Sequence, residues 1–260
     1  MIWNAATTAN DDHPYLVRKG IKANGARLHQ GVLVIPVRSG GELHSLQFIA
    51  EDGSKRFLNG GRIIITGGYF SIGSIQGADA LCIAEGFATS ATIHQATGYP
   101  VAVVFNAGNL EPVAKAMRQK LPGLPIILCA DDDADTEGNP GITKANHAAL
   151  VIGGKVAVPS FGDQRPARVT AFNDMAALLG IEAVAKAIHE AITPDGTDND
   201  GWPEPLPLTA KINTEPYPLD ALPETVRAAV AEVRAFTKAP IPLVASSALE
   251  RFKVDVNQVP

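Results

Sequence analysis

Residues 79–105 read DALCIAEGFATSATIHQATGYPVAVVF, and residues 125–141 read PIILCADDDADTEGNPG. In the first, a short, fully apolar run is followed by an amphipathic stretch over 86–97 and then by a second apolar run. The pattern repeats through a helical stretch over 109–120, the run PIILCA, a further helical stretch over 141–152 and the run KVAV at 155–158. Strands apolar on both faces and separated by single helices predict a buried parallel sheet flanked by helices. The expected α/β domain spans about 79–192.

Upstream, GVLVIPV (31–37), LHSLQFIA (43–50) and GRIIIT (61–66) are short β-rich runs separated by the turn clusters RSGGE and EDGSKR. They predict a small antiparallel β-rich subdomain within residues 1–78. Residues 193–222 are rich in proline and turn formers and read as a linker. From 223 a helical period returns, and 223–260 reads as the helical start of a further region, cut short at residue 260. No segment approaches the roughly 18 apolar residues of a membrane span, and the N-terminus lacks the order of a signal peptide, so a cytoplasmic, non-membrane protein is expected. Cys82 and Cys129, the only two cysteines, read as buried reduced thiols and cannot build a zinc ribbon. The net charge of −5 argues against a generic nucleic-acid coat but leaves room for a local basic surface.

In an open α/β sheet the ligand crevice lies at the carboxyl ends of the strands. Glu85 follows LCIA there; Asp131 and Asp133 follow IILCA; Asp174 lies in AFNDM, after KVAV. Asp131 and Asp133 are two residues apart, so in extended chain both carboxylates leave on one face. Grouped carboxylates repel one another unless a divalent cation compensates them, and hard oxygen donors with retained waters suit magnesium and phosphoryl transfer. Glu85 then serves as acid or base, or as a further ligand. The competing reading of the same stretch is a solvated acidic turn, with Glu85 placed at a helix N-terminus by the dipole. An EF-hand is excluded, because the sixth position from Asp131 is Thr136 and the twelfth is Ile142.

Taken together, the glutamate-glycine pair at 85–86 and the Asp-x-Asp at 131–133 resemble the toprim domain of primases, topoisomerases and certain nucleases. HPYLVRKGI, the β-rich segment ending in KRFLNGG, and FND are similar to the toprim primases of plasmids and phages, often fused to a helicase and related to the catalytic core of the bacterial replicative primase. The resemblance, over about 13–192, implies a toprim fold and a DNA primase that makes short RNA primers from ribonucleoside triphosphates on a single-stranded DNA template. It also implies magnesium or manganese as cofactor, and a replicative helicase partner in cis or in trans. Glu85, Asp131 and Asp133 match the catalytic acids; these with Asp174 form the implied metal set. Lys55 and Arg56 inherit nucleotide or template binding, with Arg18 and Lys19 behind them. The chain departs from the family at Ala171, where an acidic residue is usual, and in lacking a zinc module. The alternatives are a catalytically weak toprim module that binds nucleic acid or a helicase, and a toprim nuclease.

Overall fold

The computed structural model describes residues 2–58, 66–162, 165–194 and 217–256. The strand expected over 61–66, all but its last residue, and linker residues 195–216 lie outside the described residues. The chain divides into two compact units, 1–198 and 199–260.

The first unit opens with helix α1 (Ile2–Ala5), strand β1 (Thr7–Thr8) and helix α2 (Pro14–Lys19). The sequence HPYLVRKG stops and starts α2 by itself. His13 accepts the Tyr15 N–H through Nδ1, Pro14 takes the first turn, and Gly20 closes the helix at φ 63°. Strands β2 (Arg27–His29), β3 (Val32–Ser39), β4 (Glu42–Ile49) and β5 (Lys55–Phe57) complete an antiparallel sheet in the order β1-β2-β3-β4-β5. The β3–β4 hairpin turns through Gly40 and Gly41, at φ 61° and 89°, a two-residue turn that needs left-handed backbone at both positions. Pro36 is tolerated in β3 because the pairing with β2 has already ended at Val34.

The second sheet contains β6 (Phe70–Ile72), β7 (Leu81–Ala84), β8 (Val101–Val103), β9 (Ile126–Cys129) and β10 (Lys155–Ala157), in the order β10-β9-β7-β8-β6. Four strands are parallel, as the apolar runs predict. The fifth, β6, is an antiparallel edge strand from before residue 79, so this sheet draws on chain assigned by sequence to the β-rich part. Helices α3 (Phe87–Thr97), α4 (Leu110–Lys120) and α5 (Pro140–Ile152) connect the parallel strands, and α6 (Phe172–Leu179) and α7 (Ile181–His189) follow β10. Alternate residues serve opposite faces: Leu81, Ile83 and Leu128 pack with α4 and α5, whereas Cys82, Ile127 and Cys129 pack with α6 and α7. From β7 the chain crosses to β8 on one side and then to β9 on the other. The crevice expected of a doubly wound sheet therefore opens at the carboxyl ends of β7 and β9.

A shared core joins the two sheets. Leu33, Ile35 and Ile49 from the antiparallel sheet and Tyr15 and Leu16 from α2 pack with Ile72, Phe87, Ala91 and Val103. The antiparallel sheet's other face buries Val34, Leu46 and Phe48 beneath Ile2 and Trp3.

In the second unit, α8 (Glu224–Thr237) and α9 (Ile241–Val256) bury Val226, Val230, Val244 and Ala245. Among the described residues no helix is long and apolar enough to cross a membrane.

Phe87 sits at the seam of the two sheets and is 1% exposed. Phe87→Ala is expected to cost about 3–5 kcal/mol by leaving a cavity. In urea unfolding, both sheets should lose structure in one transition at lower denaturant; a midpoint unchanged from wild type would contradict the shared core.

Candidate active site at the strand ends

Glu85 follows the last residue of β7, and Gly86 caps α3. Burial raises the Glu85 pKa and the charge of Asp133 raises it further, while Lys55, Lys144 and a hydrogen bond from the Ala107 N–H pull it back. Across the crevice, β9 ends at Cys129 and delivers Asp131 and Asp133. Asp131 is the more perturbed: burial first, then Glu85, Asp133 and Asp174, push its pKa from the usual 3.8 to about 7, against the pull of Lys55. Its Oδ1 is buried without a hydrogen-bond partner among the described residues. A buried acceptor left unsatisfied is costly, so this oxygen marks a place where a ligand is wanted.

The middle aspartate behaves differently. Asp132 pairs with Arg165, accepts a hydrogen bond from Asn139 Nδ2 at 2.7 Å, and donates its own N–H to the Thr170 carbonyl at 2.8 Å. It is used up in holding the loop. The loop returns into α5 at Gly141, where any Cβ would collide with the Asp131 carbonyl oxygen and lie 3.0 Å from Asp133 Oδ2, so glycine is required. Asp135 and Glu137 are exposed and belong to the solvated turn.

Asp174 reaches the same pocket with a second task. It is the third residue of α6, and its Oδ2 accepts from the Thr170 and Ala171 N–H groups, both at 3.2 Å. Ala171 stands at the N-cap with no side-chain oxygen to offer the first turn, and Asp174 reaches back to the backbone N–H groups that lead into the helix. Its Oδ1 lies 3.7 Å from Lys19 Nζ.

These groups surround a cavity of about 180 Å3 whose walls include Lys19, Lys55, Thr89, Glu85, Asp131 and Asp174. Asp133 stands just outside it and is felt through its charge. Lys55 is exposed as a residue yet lines this cavity: desolvation lowers its pKa, Lys19 lowers it further, and Glu85 and Asp131 raise it. Arg56, next in sequence, points to the opposite face of the sheet and lies 4.7 Å over the Phe48 ring. The alternation of a strand thus brings Lys55 to the acids and takes Arg56 away. Arg18 lies beside Tyr15, 5.8 Å from its ring.

All the anionic donors here are carboxylate oxygens, and with the unpartnered Asp131 Oδ1 they fit a hard divalent cation. Among the described residues no three His, Cys, Asp or Glu side chains converge closely enough to ligate one ion as they stand. The acids are grouped within charge-charge range of one another. Lys144, Arg165 and Asn139 take part in this arrangement without any local sequence signal. Lys19 had one, the basic pair closing HPYLVRKG.

Residues 79–158 match the Toprim domain family. Two Escherichia coli proteins named DNA primase TraC are each 38% identical to this chain, one over 165 residues (57% of this chain, 15% of the relative), the other over 176 residues (64% and 12%). The chain therefore spans only about a seventh or less of these relatives. Among solved structures, one chain from the bacteriophage T7 lagging-strand DNA polymerase with primase domains of two gp4 subunits, bound to an RNA/DNA hybrid and dTTP, aligns at 18% identity. It covers 68% of this chain and 90% of that chain, with a TM-score of 0.48. The Aquifex aeolicus primase aligns at 18% identity over 82% of this chain and 53% of that one, with a TM-score of 0.44. The Toprim match is to residues 79–158, and the similarity to part of the TraC primases extends over 165 and 176 residues.

The raised pKa of Asp131 has a consequence for stability. Its folded-state pKa lies above the unfolded value, so the stability it contributes is full below pH 3.8 and is lost as pH rises through about 7. With metal chelated, Asp131→Asn is expected to be more stable than wild type at pH 8, by about 2–4 kcal/mol at 1.36 kcal/mol per pKa unit. The gap should close toward pH 4. Urea titrations at pH 4, 6 and 8 measure it, and a gap independent of pH would contradict the burial of a charged Asp131.

Proposed function

We propose that this chain is the catalytic part of a DNA primase that joins ribonucleotides on a single-stranded DNA template, using magnesium or manganese, in the replication of a plasmid, phage or mobile element. The observation that carries the reading is the meeting of opposite charges at one crevice. Carboxylates from the ends of two parallel strands face ammonium groups of Lys19 and Lys55, brought from the preceding α2 and β5. Acids alone suit many metal sites; acids facing lysines suit a metal-bound phosphate chain. The identity to the TraC primases supports the same reading.

In this proposal Glu85, Asp131 and Asp133 hold the divalent cation, with Asp174 at the edge of the set. Bound there, the cation neutralises charge on the phosphates and on the attacking and leaving oxygens. Lys55 and Lys19 grip phosphate oxygens of the incoming nucleotide or template and hold the α-phosphate in line with the primer 3′-hydroxyl. Glu85 serves as a ligand of that cation or, where its carboxylate is left free, as the base that takes the proton of that hydroxyl as its oxygen bonds to the α-phosphorus and pyrophosphate departs. A replicative helicase, in the same chain or another, is the partner implied by the likeness to plasmid and phage primases, and the cytoplasm is the expected place of action.

The capping task of Asp174 beside Ala171 favours one other reading, a toprim module that binds nucleic acid without synthesis. To separate them, the chain is incubated with single-stranded DNA, labelled ribonucleotides and magnesium or manganese. Primers from the wild type but not from Asp131→Ala/Asp133→Ala are expected. Lys55→Met should lower synthesis at least about tenfold, the scale of one lost charged contact, whereas Arg56→Ala, on the far face, should stay within about twofold. DNA binding without synthesis would replace the enzyme with the binding module, and strand cutting would point to a nuclease.

A further inference from the structure

Holding Asp131 and Asp133 in place falls on groups outside the set of acids. We propose that Arg165, acting through Asp132 and supported by Asn139, is a positioning residue that holds the Asp131 and Asp133 carboxylates at the crevice; this rests on the catalytic reading above.

The contacts run in one direction. Arg165 donates from Nη1 to Asp132 Oδ2, and from Nη2 to the carbonyl oxygens of both Asp132 and Val169; Nε also donates to Val169, at 3.0 Å. The guanidinium lies 4.9 Å from the Phe161 ring. Arg165 and Asp132 side chains are 25% and 19% exposed, so the pair is sheltered enough for its geometry to count. The other Asp132 oxygen is held by Asn139 Nδ2, while Asn139 Oδ1 accepts the Asp133 N–H at 2.9 Å. Asn139 itself sits at φ 37°, a left-handed backbone that asparagine tolerates better than most residues, immediately before α5. Finally, the Asp132 N–H bonds to Thr170, whose own N–H reaches Asp174.

Both peptide neighbours of Asp131 and Asp133 are therefore pinned, and the segment bearing Asp174 is tied to the same loop. With its side chain turned to Arg165, Asp132 leaves the crevice to Asp131, which lines it, and to Asp133 at its rim. The pinning also opposes a specific force. Glu85, Asp131 and Asp133 repel one another, and a freely jointed loop would swing its two aspartates outward to solvent. Arg165 neutralises the third charge of the run, which would otherwise add to that repulsion.

The test compares Arg165→Met, Arg165→Lys, Asp132→Asn and the double variant Arg165→Met/Asp132→Asn with wild type. Mn2+ binding is read by electron paramagnetic resonance on the chain without DNA or nucleotide, and primer synthesis and single-stranded DNA binding are read separately. Arg165→Met is expected to weaken Mn2+ binding by about 10-fold or more, within the 10–100-fold range for lost partners of metal ligands. It should lower kcat similarly while leaving the ribonucleotide KM and the DNA Kd within about twofold. The double variant should be no worse than the single ones, because both remove the same contact; Arg165→Lys should recover only part of the loss, since lysine lacks the fork. Unchanged Mn2+ affinity in Arg165→Met, or a loss shared equally by DNA binding and thermal stability, would overturn the proposal. A wild type that binds Mn2+ in an Arg165-dependent way but makes no primers would leave the positioning role standing and remove the primase reading instead.

Discussion

Like charge concentrated at the end of a buried sheet is the constraint around which this protein is arranged. Strands β7 and β9 are apolar on both faces and end side by side, so the residues that follow them emerge into one narrow crevice. Those residues are Glu85 and Asp131, with Asp133 at the rim. Burial and mutual repulsion raise the Glu85 and Asp131 pKa values together, and the Asp131 Oδ1 has no partner among the described residues. Such a cluster cannot be a stabilising element of the free fold. It persists because the elements carrying it are fixed by large apolar contacts elsewhere, the usual relation between a strained functional site and the scaffold that bears its cost.

Two kinds of compensation surround the cluster. Distant chain supplies charge: α2 and β5 carry Lys19 and Lys55 to the pocket, and the core shared by Leu33, Ile35, Ile49 and Phe87 keeps them there. Local chain supplies geometry: Gly141 lets α5 start against the Asp131 carbonyl, and Asp132 is turned out of the crevice toward Arg165 and Asn139. The antiparallel sheet is thus one wall of the site as well as a preceding element.

Much of this was legible in the residues. The four parallel strands and their connecting helices follow from the alternation of short apolar runs and amphipathic stretches, and each matches an observed element closely. The β3–β4 hairpin was readable from its paired glycines. The edge strand β6 was not, because three residues of mixed character carry no periodicity, and its place is set by pairing with β8. At the site, the position of Glu85, Asp131 and Asp133 after buried strands was readable. Asp174 was visible as an acid near the site, but not as the group that ties down the backbone N–H groups of Thr170 and Ala171 ahead of α6.

Local patterns alone therefore determined the sheet, its helices and which acids stand at its carboxyl edge, since burial and strand alternation act over a few residues. Only the tertiary structure decided the rest. Lys55 and Arg56 are neighbours that the pleat of β5 sends to opposite faces, and no local signal says which face meets the acids. Arg165 finds Asp132 across 33 residues of chain, a contact created by β10 and the loop after it folding back beside β9. Both outcomes depend on which surfaces pack together, and that is settled by the whole core.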